Sequence, residues 1–304
     1  MSGLSIDMSE PIRRGVIAAL WSPTDAAGRL IETALADHLS FLRSAKVHGV
    51  LALGSTGEFV HLAEADRIHL LHKAVELGGG LPVLANVSDV SPAVACRIAK
   101  AAADAGCAGI AVLPPWYFPL SQDDQLEFFL RVADAADLPV CLYNFPERTG
   151  NRIALGTIAA FGARARLVAV KQSGAEWAYH QDLIALGREK DFSVFTGADT
   201  RFAEALALGC SGCISGLANV LPEALVEVFE ASASGADPSV PMSLLQRAGT
   251  LCGSVDFPLD VAAAMRARGF EAGEPKQAIS AETAVKCAQL THDLRLLFQG
   301  AGLP

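Results

Sequence analysis

The stretch LVAVKQSG, residues 167–174, sets four apolar residues, Leu167 to Val170, directly before a lysine. A short unbroken apolar run reads as a strand buried on both faces, as in a parallel sheet. Lys171 ends that run, so either it snorkels out at the strand's end or the fold uses its amine. Runs of the same kind recur along the chain: GVIAAL (15–20), GVLALG (49–54), PVLANV (82–87), GIAVLP (109–114), PVCLYN (139–144), FSVFTG (192–197) and GCISGL (212–217). With LVAVK they make eight strands alternating with helical patterns, which is the count of an α/β protein folded as a (β/α)8 TIM barrel. A doubly wound open sheet usually carries a glycine-rich fingerprint after its first strand; here that place reads WSPTDAAG (21–28).

The helices are equally legible. In 29–47, Leu30, Ala34, Leu35, Leu39 and Leu42 form an apolar stripe at spacings of three and four. In 91–106, Ser91 is a candidate N-cap, Pro92 suits the first turn and Gly106 marks the stop. Beyond the eighth strand, residues 222–233, about 240–268 and 280–299 read as helices, the first two separated by polar ASASGADPS (231–239). The expected organisation is a barrel over 1–225 with C-terminal helices over 226–304 packed on it as one structural unit.

The chain of 304 residues is 51% hydrophobic and 19% charged, enough for a large core. A net charge of -9 and the lack of any Lys/Arg run argue against a nucleic-acid partner, which needs a concentrated basic face. The opening MSGLSIDMSEPIRRG lacks the long apolar region of a secretory signal, and the apolar runs break well short of a membrane span. Seven scattered cysteines, an odd number, fit reduced thiols in the cytoplasm.

Active sites of such barrels lie at the carboxyl ends of the strands. GSTGE (54–58), LPPWYF (113–118), YNFPERTG (143–150) and Lys171 should therefore converge on one mouth. An isolated strand-end lysine is usually solvated or paired. In a dry setting, however, desolvation disfavours an ammonium ion and leaves more free amine to act as a Schiff-base nucleophile. Tyr143 either caps the barrel or relays protons to a neighbouring lysine. Arg148, in the next loop, is either a surface charge or a fork for a carboxylate. Ser55 and Thr56 sit in an ordinary small-residue turn or in one whose N–H groups cradle an anion. Glu58 reads equally well as a structural acceptor and is given no catalytic role.

Together, GSTGE, YNFPERTG and Lys171 on strands two, five and six resemble the dihydrodipicolinate synthase/N-acetylneuraminate lyase family of pyruvate-dependent class I aldolases. The likeness runs from about residue 12 to 225 and takes in GxD (197–199) and GCISGLANVLPE (212–223). It implies that Lys171 forms the imine with C2 of a 2-oxo acid and that Tyr143 shuttles protons, its phenol held by Thr56. Ser55 and Thr56 would bind the keto acid's carboxylate, with Gly197 and Ile214 also facing the substrate. Tyr117 would align with a second tyrosine donated across a subunit interface, and Arg148 with an arginine holding the distal carboxylate of an aldehyde. The resemblance further implies a homotetramer built from dimers, no metal and no cofactor beyond the covalent imine. ANVSD (85–89) and DFPLDVAAA (256–264) depart from the GTGAN-like turn and NP-x-x-x-K pattern of lysine-pathway synthases. Aldolases or dehydratases of 2-keto-3-deoxy sugar acids therefore stay open.

Three rivals carry weaker signals. His61, His69 and His72 could suggest a metal-dependent aldolase, but 63–77 reads as a helix on the barrel's outside. Cys210 and Cys213 make a lone C-x-x-C before a strand, the wrong polarity for a redox pair, and TGADTRF (196–202) with SGLAN (215–219) could hold a phosphate. A non-catalytic barrel that senses 2-oxo acids would be expected to lack the strand-six lysine.

Overall fold

In the computed structural model, which describes residues 13–303, every apolar run becomes a strand. The N-terminal stretch read above lies almost wholly outside the described residues. The strands are β1 (Gly15–Ala19), β2 (Gly49–Ala52), β3 (Val83–Asn86), β4 (Gly109–Val112), β5 (Val140–Asn144), β6 (Leu167–Gln172), β7 (Ser193–Thr196) and β8 (Gly212–Ser215). They pair in sequence order, all parallel, and β8 closes on β1. The seam demands glycine: Gly15 faces Gly212, and a Cβ on Gly212 would run into the backbone of Gly15.

Helices α1 (Glu32–Ser44), α2 (Glu64–Leu77), α3 (Pro92–Asp104), α4 (Gln122–Asp134), α5 (Pro146–Thr149), α6 (Leu155–Gly162), α7 (Trp177–Lys190) and α8 (Phe202–Leu208) connect them. On α1, Ala34, Leu35, Leu39 and Leu42 are buried against the barrel, as the stripe requires. Ser91 precedes α3, but its hydroxyl caps nothing; its backbone N–H instead donates to Asp89 Oδ1 at 2.9 Å.

The tail folds as α9 (Pro222–Ser234), α10 (Ser239–Cys252), α11 (Leu259–Ala267) and α12 (Ala281–Gly300). The helix expected over 240–268 is thus two. Gly253 ends the first, and Pro258, which cannot donate a backbone hydrogen bond, precedes the second. The break delivers DFPLD (256–260) to the barrel mouth. The chain then returns beneath β1's exit: Trp21 Nε1 donates to Ala272 O at 2.8 Å and Glu274 N to Thr24 O at 2.8 Å.

Inside the barrel, Ile17, Leu51, Leu84, Ala111, Cys141, Ala169, Phe195 and Ile214 form a closed apolar floor. Side chains alternate across a strand, so residues two further along point to the same interior. Two beyond Cys141 is Tyr143; two beyond Ala169 is Lys171.

Candidate active site

Lys171 and Tyr143 are register partners on β6 and β5 and are 4% and 2% exposed, so the sheet itself sets their spacing. Lys171 Nζ lies 4.2 Å from the centre of the Tyr143 ring. The Tyr143 hydroxyl lies 3.5 Å from Ser55 Oγ. Amine, phenol and hydroxyl therefore stand in series. Such a series can add an amine to a carbonyl and pass the protons of that addition between oxygen atoms.

The hydroxyl that meets the phenol corrects one expectation: it belongs to Ser55 and not to Thr56. The reason is the shape of the GSTGE turn. Leu53 (φ 58) and Glu58 (φ 57) both adopt the left-handed conformation, so strand alternation does not continue through the turn. A bulky residue at positive φ costs of order 1–3 kcal/mol and persists only when its surroundings hold it. Asn86 Nδ2 does so by donating to Leu53 O at 2.6 Å. Gly57 packs directly on the segment that follows β1, where a Cβ would lie 2.6 Å from Ser22 Oγ and 2.9 Å from Leu20 O. Thr56 is buried at the base of the turn, facing Gly216.

Glu58 is the structural acceptor the sequence allowed. Its Oε2 takes Lys276 Nζ at 3.0 Å, with the two side chains 1% and 3% exposed. Burial lowers the Lys276 pKa, and the neighbouring Glu58 charge opposes that shift. Lys276 also sits over the Trp21 ring at 4.6 Å. The pair ties the C-terminal return to the GSTGE turn.

The loops after β4 and β5 are fastened together by Asn151. Its Oδ1 accepts from Leu120 N at 2.9 Å, and its Nδ2 donates to Pro115 O at 2.7 Å and Phe118 O at 2.8 Å. Between these anchors Tyr117 takes φ 84 and points outward, 85% exposed and edge-on to Phe118. It is not brought to Lys171 within its own chain. Trp116 turns inward instead and meets Phe59 edge-on at 5.6 Å.

Arg148 projects from α5 with its guanidinium 5.5 Å from the centre of the Phe257 ring. Both line a cavity of about 320 Å³ that also takes in Ser55, Phe59, Leu113 and Trp116. Gly197 follows β7 with its N–H on Gln172 O at 2.8 Å, and a side chain there would run into Ser173. The Ile214 side chain belongs to the apolar floor, 1% exposed, so it sits below the polar rim.

Several rim residues escaped the sequence reading. Asn144 bridges β5 and β6 through Gln172 at 2.7 Å, and Asn219 joins β8's exit to β1 through Ala19 O at 2.7 Å and Trp21 N at 3.0 Å. Ser88 and Asp89 of ANVSD form a strut: Arg67 pairs with Asp89 at 2.8 Å, and Ser88 Oγ accepts from Leu113 N at 2.7 Å. Asp199 Oδ2 accepts from Leu217 N at 2.9 Å, so that N–H, which a phosphate would use, is already engaged. Burial raises the Asp199 pKa and pushes that of nearby Asp260 up to about 6. The only signal for Asn144 was a polar residue closing an apolar run, and Asn219 stood within SGLAN without a role.

The rival signals lie elsewhere. His69 faces Glu32 at 3.0 Å across the outer helices. Among the described residues, no group of three or more His, Cys, Asp or Glu side chains is placed to hold a metal ion, and no helix is long and apolar enough to cross a membrane. Burial pushes the Cys210 thiol up to about 12 and Cys213 well above its ordinary value, opposite to a redox thiolate.

Comparison with known proteins agrees with this geometry. A "DapA-like lyase", uncharacterised, from Halobacterium salinarum is 34% identical over 85% of this chain and 86% of its own length. A 4-hydroxy-tetrahydrodipicolinate synthase from Methanosphaerula palustris is 31% identical over 92% of this chain and 98% of its own. In structure, YagE, a prophage protein of the dihydrodipicolinic acid synthase family from E. coli K12 solved with pyruvate, superposes with a TM-score of 0.87 at 26% identity, covering 93% of this chain and 98% of YagE. The sequence pattern of the Dihydrodipicolinate synthetase family matches residues 13–291, and the chain belongs to that family.

Proposed function

We propose that this chain is a Schiff-base-forming lyase or synthase that joins pyruvate, or another 2-oxo acid, to an aldehyde, or cleaves the corresponding bond. The observation that carries this reading is the series Lys171–Tyr143–Ser55 at 4.2 and 3.5 Å, its lysine and tyrosine buried. The Lys171 amine adds to C2 of the oxo acid; the carbinolamine loses water and leaves a protonated imine. That imine is an electron sink, so C3 gives up a proton and becomes the carbon nucleophile. Tyr143 carries the protons of addition and dehydration, with Ser55 next in line. Thr56 and the turn's backbone N–H groups hold the oxo acid's carboxylate, assisted by Gly197 and by the backbone of Ile214, whose side chain is committed to the floor. No metal or other cofactor takes part in this scheme.

Arg148 holds the acidic end of the aldehyde. Tyr117, outward-facing on its own chain, completes the site of a second copy in a homotetramer. The reaction would take place in the cytoplasm. YagE's complex with pyruvate, described for that protein, supports the choice of oxo acid. Replacing the lysine tests the reading: Lys171→Ala is expected to abolish turnover with the fold retained by circular dichroism. Activity near wild type would overturn it.

A further inference from the structure

The cavity beside the Lys171–Tyr143–Ser55 series has an unequal lining, and its composition specifies what it accepts. Its walls are ring and hydrocarbon: Phe59, Leu113, Trp116, Phe257 and Pro258. Trp116 and Phe59 pack edge-on at 5.6 Å with planes at 89°, which fixes two faces of the wall. At about 320 Å³ the space is at the lower end of the usual range for small-molecule pockets, about 300–1,000 Å³. Ser55 belongs both to this wall and to the hydroxyl series, so the cavity adjoins the series through that residue, while Lys171 and Tyr143 do not line it.

Few of its polar groups are available to a ligand. Glu58 Oε2 is taken by Lys276 at 3.0 Å, and its buried Oε1 is left without a partner among the described residues. Thr149 Oγ1 is spent on Phe145 O at 3.2 Å and Asn151 O at 2.9 Å. His61 and Gln277 also line the cavity, and, His61 apart, its one cationic side chain is Arg148, the guanidinium 5.5 Å from the Phe257 ring centre. A ligand with several hydroxyls would press some of them against rings that cannot hydrogen-bond, and burying a hydroxyl unpaired is costly. A flat apolar body with one anionic substituent would match the rings and Arg148.

We infer that the second substrate is an aldehyde with an apolar, ring-like body and a single carboxylate, the ring held between Trp116 and Phe257 and the carboxylate on Arg148. The inference rests on the imine reading above. In the step itself the enamine C3 forms a bond to the aldehyde carbon, the carbonyl π electrons move to oxygen, and that oxygen takes a proton to become a hydroxyl. Water then hydrolyses the imine and frees the Lys171 amine.

Two measurements on the full chain separate the inference from the reading beneath it. Imine formation is followed by borohydride trapping of pyruvate on the wild type, Trp116→Ala and Phe257→Ala. Turnover with saturating pyruvate is measured on 2-, 3- and 4-carboxybenzaldehyde, benzaldehyde and glyceraldehyde. Expected is a kcat/KM for the best carboxybenzaldehyde at least tenfold above both benzaldehyde and glyceraldehyde. Each alanine variant should lose about tenfold or more on that aldehyde, a usual scale for truncating a hydrophobic pocket, while still trapping pyruvate. Trapped pyruvate with glyceraldehyde preferred, or variants that trap pyruvate and turn over the carboxybenzaldehyde normally, would overturn the inference and leave the imine reading standing. No trapped imine in the wild type would overturn both.

Discussion

The barrel's floor and the rim at the carboxyl ends of its strands lie only a pleat apart, and they are built by opposite rules. The floor, with Cys141, Ala169, Phe195 and Ile214, is apolar and shut. The carboxyl ends of the strands above it, where Tyr143, Lys171 and Asn86 face inward and Asn144, Thr196, Ser215 and Asn219 surround them, form a rim as thoroughly buried yet almost wholly polar. Floor side chains gain free energy by leaving water, about 1.5–3 kcal/mol for a large one. Rim side chains lose solvation and recover it through named partners, such as Asn144 on Gln172 and Asn219 on Ala19 and Gly216. The floor therefore supplies stability, and the rim spends part of it to hold an amine, a phenol and a hydroxyl in line. Lys171 is the extreme case: it lies against a ring face, where every asparagine around it is hydrogen-bonded.

That contrast can be broken by substitution. Lys171→Ala, a rim change, is expected to remove activity altogether with stability kept. Phe195→Ala, in the floor, should do the reverse: a loss of about 3–5 kcal/mol in urea denaturation, with the surviving folded fraction still binding pyruvate. Equal losses of stability from both would erase the distinction. Tyr143→Phe keeps the ring under Lys171 but deletes the hydroxyl, and should slow turnover by roughly 10²–10⁴ with little change in melting temperature. An unchanged rate would remove Tyr143 from the relay.

The rim's dependence on neutral polar groups also shows in pH. Burial lowers the His38 pKa to about 4, and its Nε2 bonds Asn219 O at 3.0 Å. The unfolded chain takes up this proton near 6.5, so the contribution is complete above that value and is lost as pH falls toward 4. The total is on the order of 3 kcal/mol at full protonation. Asp260, raised to about 6, acts oppositely: its contribution is present below 3.8 and lost as pH rises through 6. Comparing His38→Gln with wild type at pH 7 and pH 4.5 isolates the histidine; wild type should lose more stability on acidification than the variant. Parallel losses would count against it. The smallest effect is expected at the exposed edge of the cavity. Arg148→Ala should weaken an acidic aldehyde by about 10- to 100-fold, the worth of a charged hydrogen bond, and pyruvate much less. Equal weakening of both would place the arginine elsewhere.

What could be read in the sequence divides along the same line. Parallel strands covered on both faces become unbroken apolar runs, so eight of them announced the barrel, and the polar residue that ended one of them pointed to Lys171. Register in the turns was out of reach. Left-handed Leu53 and Glu58 rotate GSTGE so that Ser55, not Thr56, meets the phenol, and alternation rules stop where the strand does. Tyr117 and its neighbour Trp116 point opposite ways because Asn151, more than thirty residues on, pins the loop on both sides. The Glu58–Lys276 pair spans 218 residues, a separation that no local pattern encodes. Ile214 stood out by its place in a motif, and only the barrel's alternation shows that its side chain belongs to the floor.

The central claim is that Lys171 is the atom-bearing nucleophile of a pyruvate imine. Incubating the folded protein with pyruvate, reducing with borohydride, and mapping the adduct by intact mass and peptide sequencing tests it directly. A single reduced adduct on Lys171, absent without pyruvate, is the expected result. An adduct on another lysine, or none with pyruvate in excess over folded protein, would contradict the claim and return the chain to a barrel that binds 2-oxo acids without reacting.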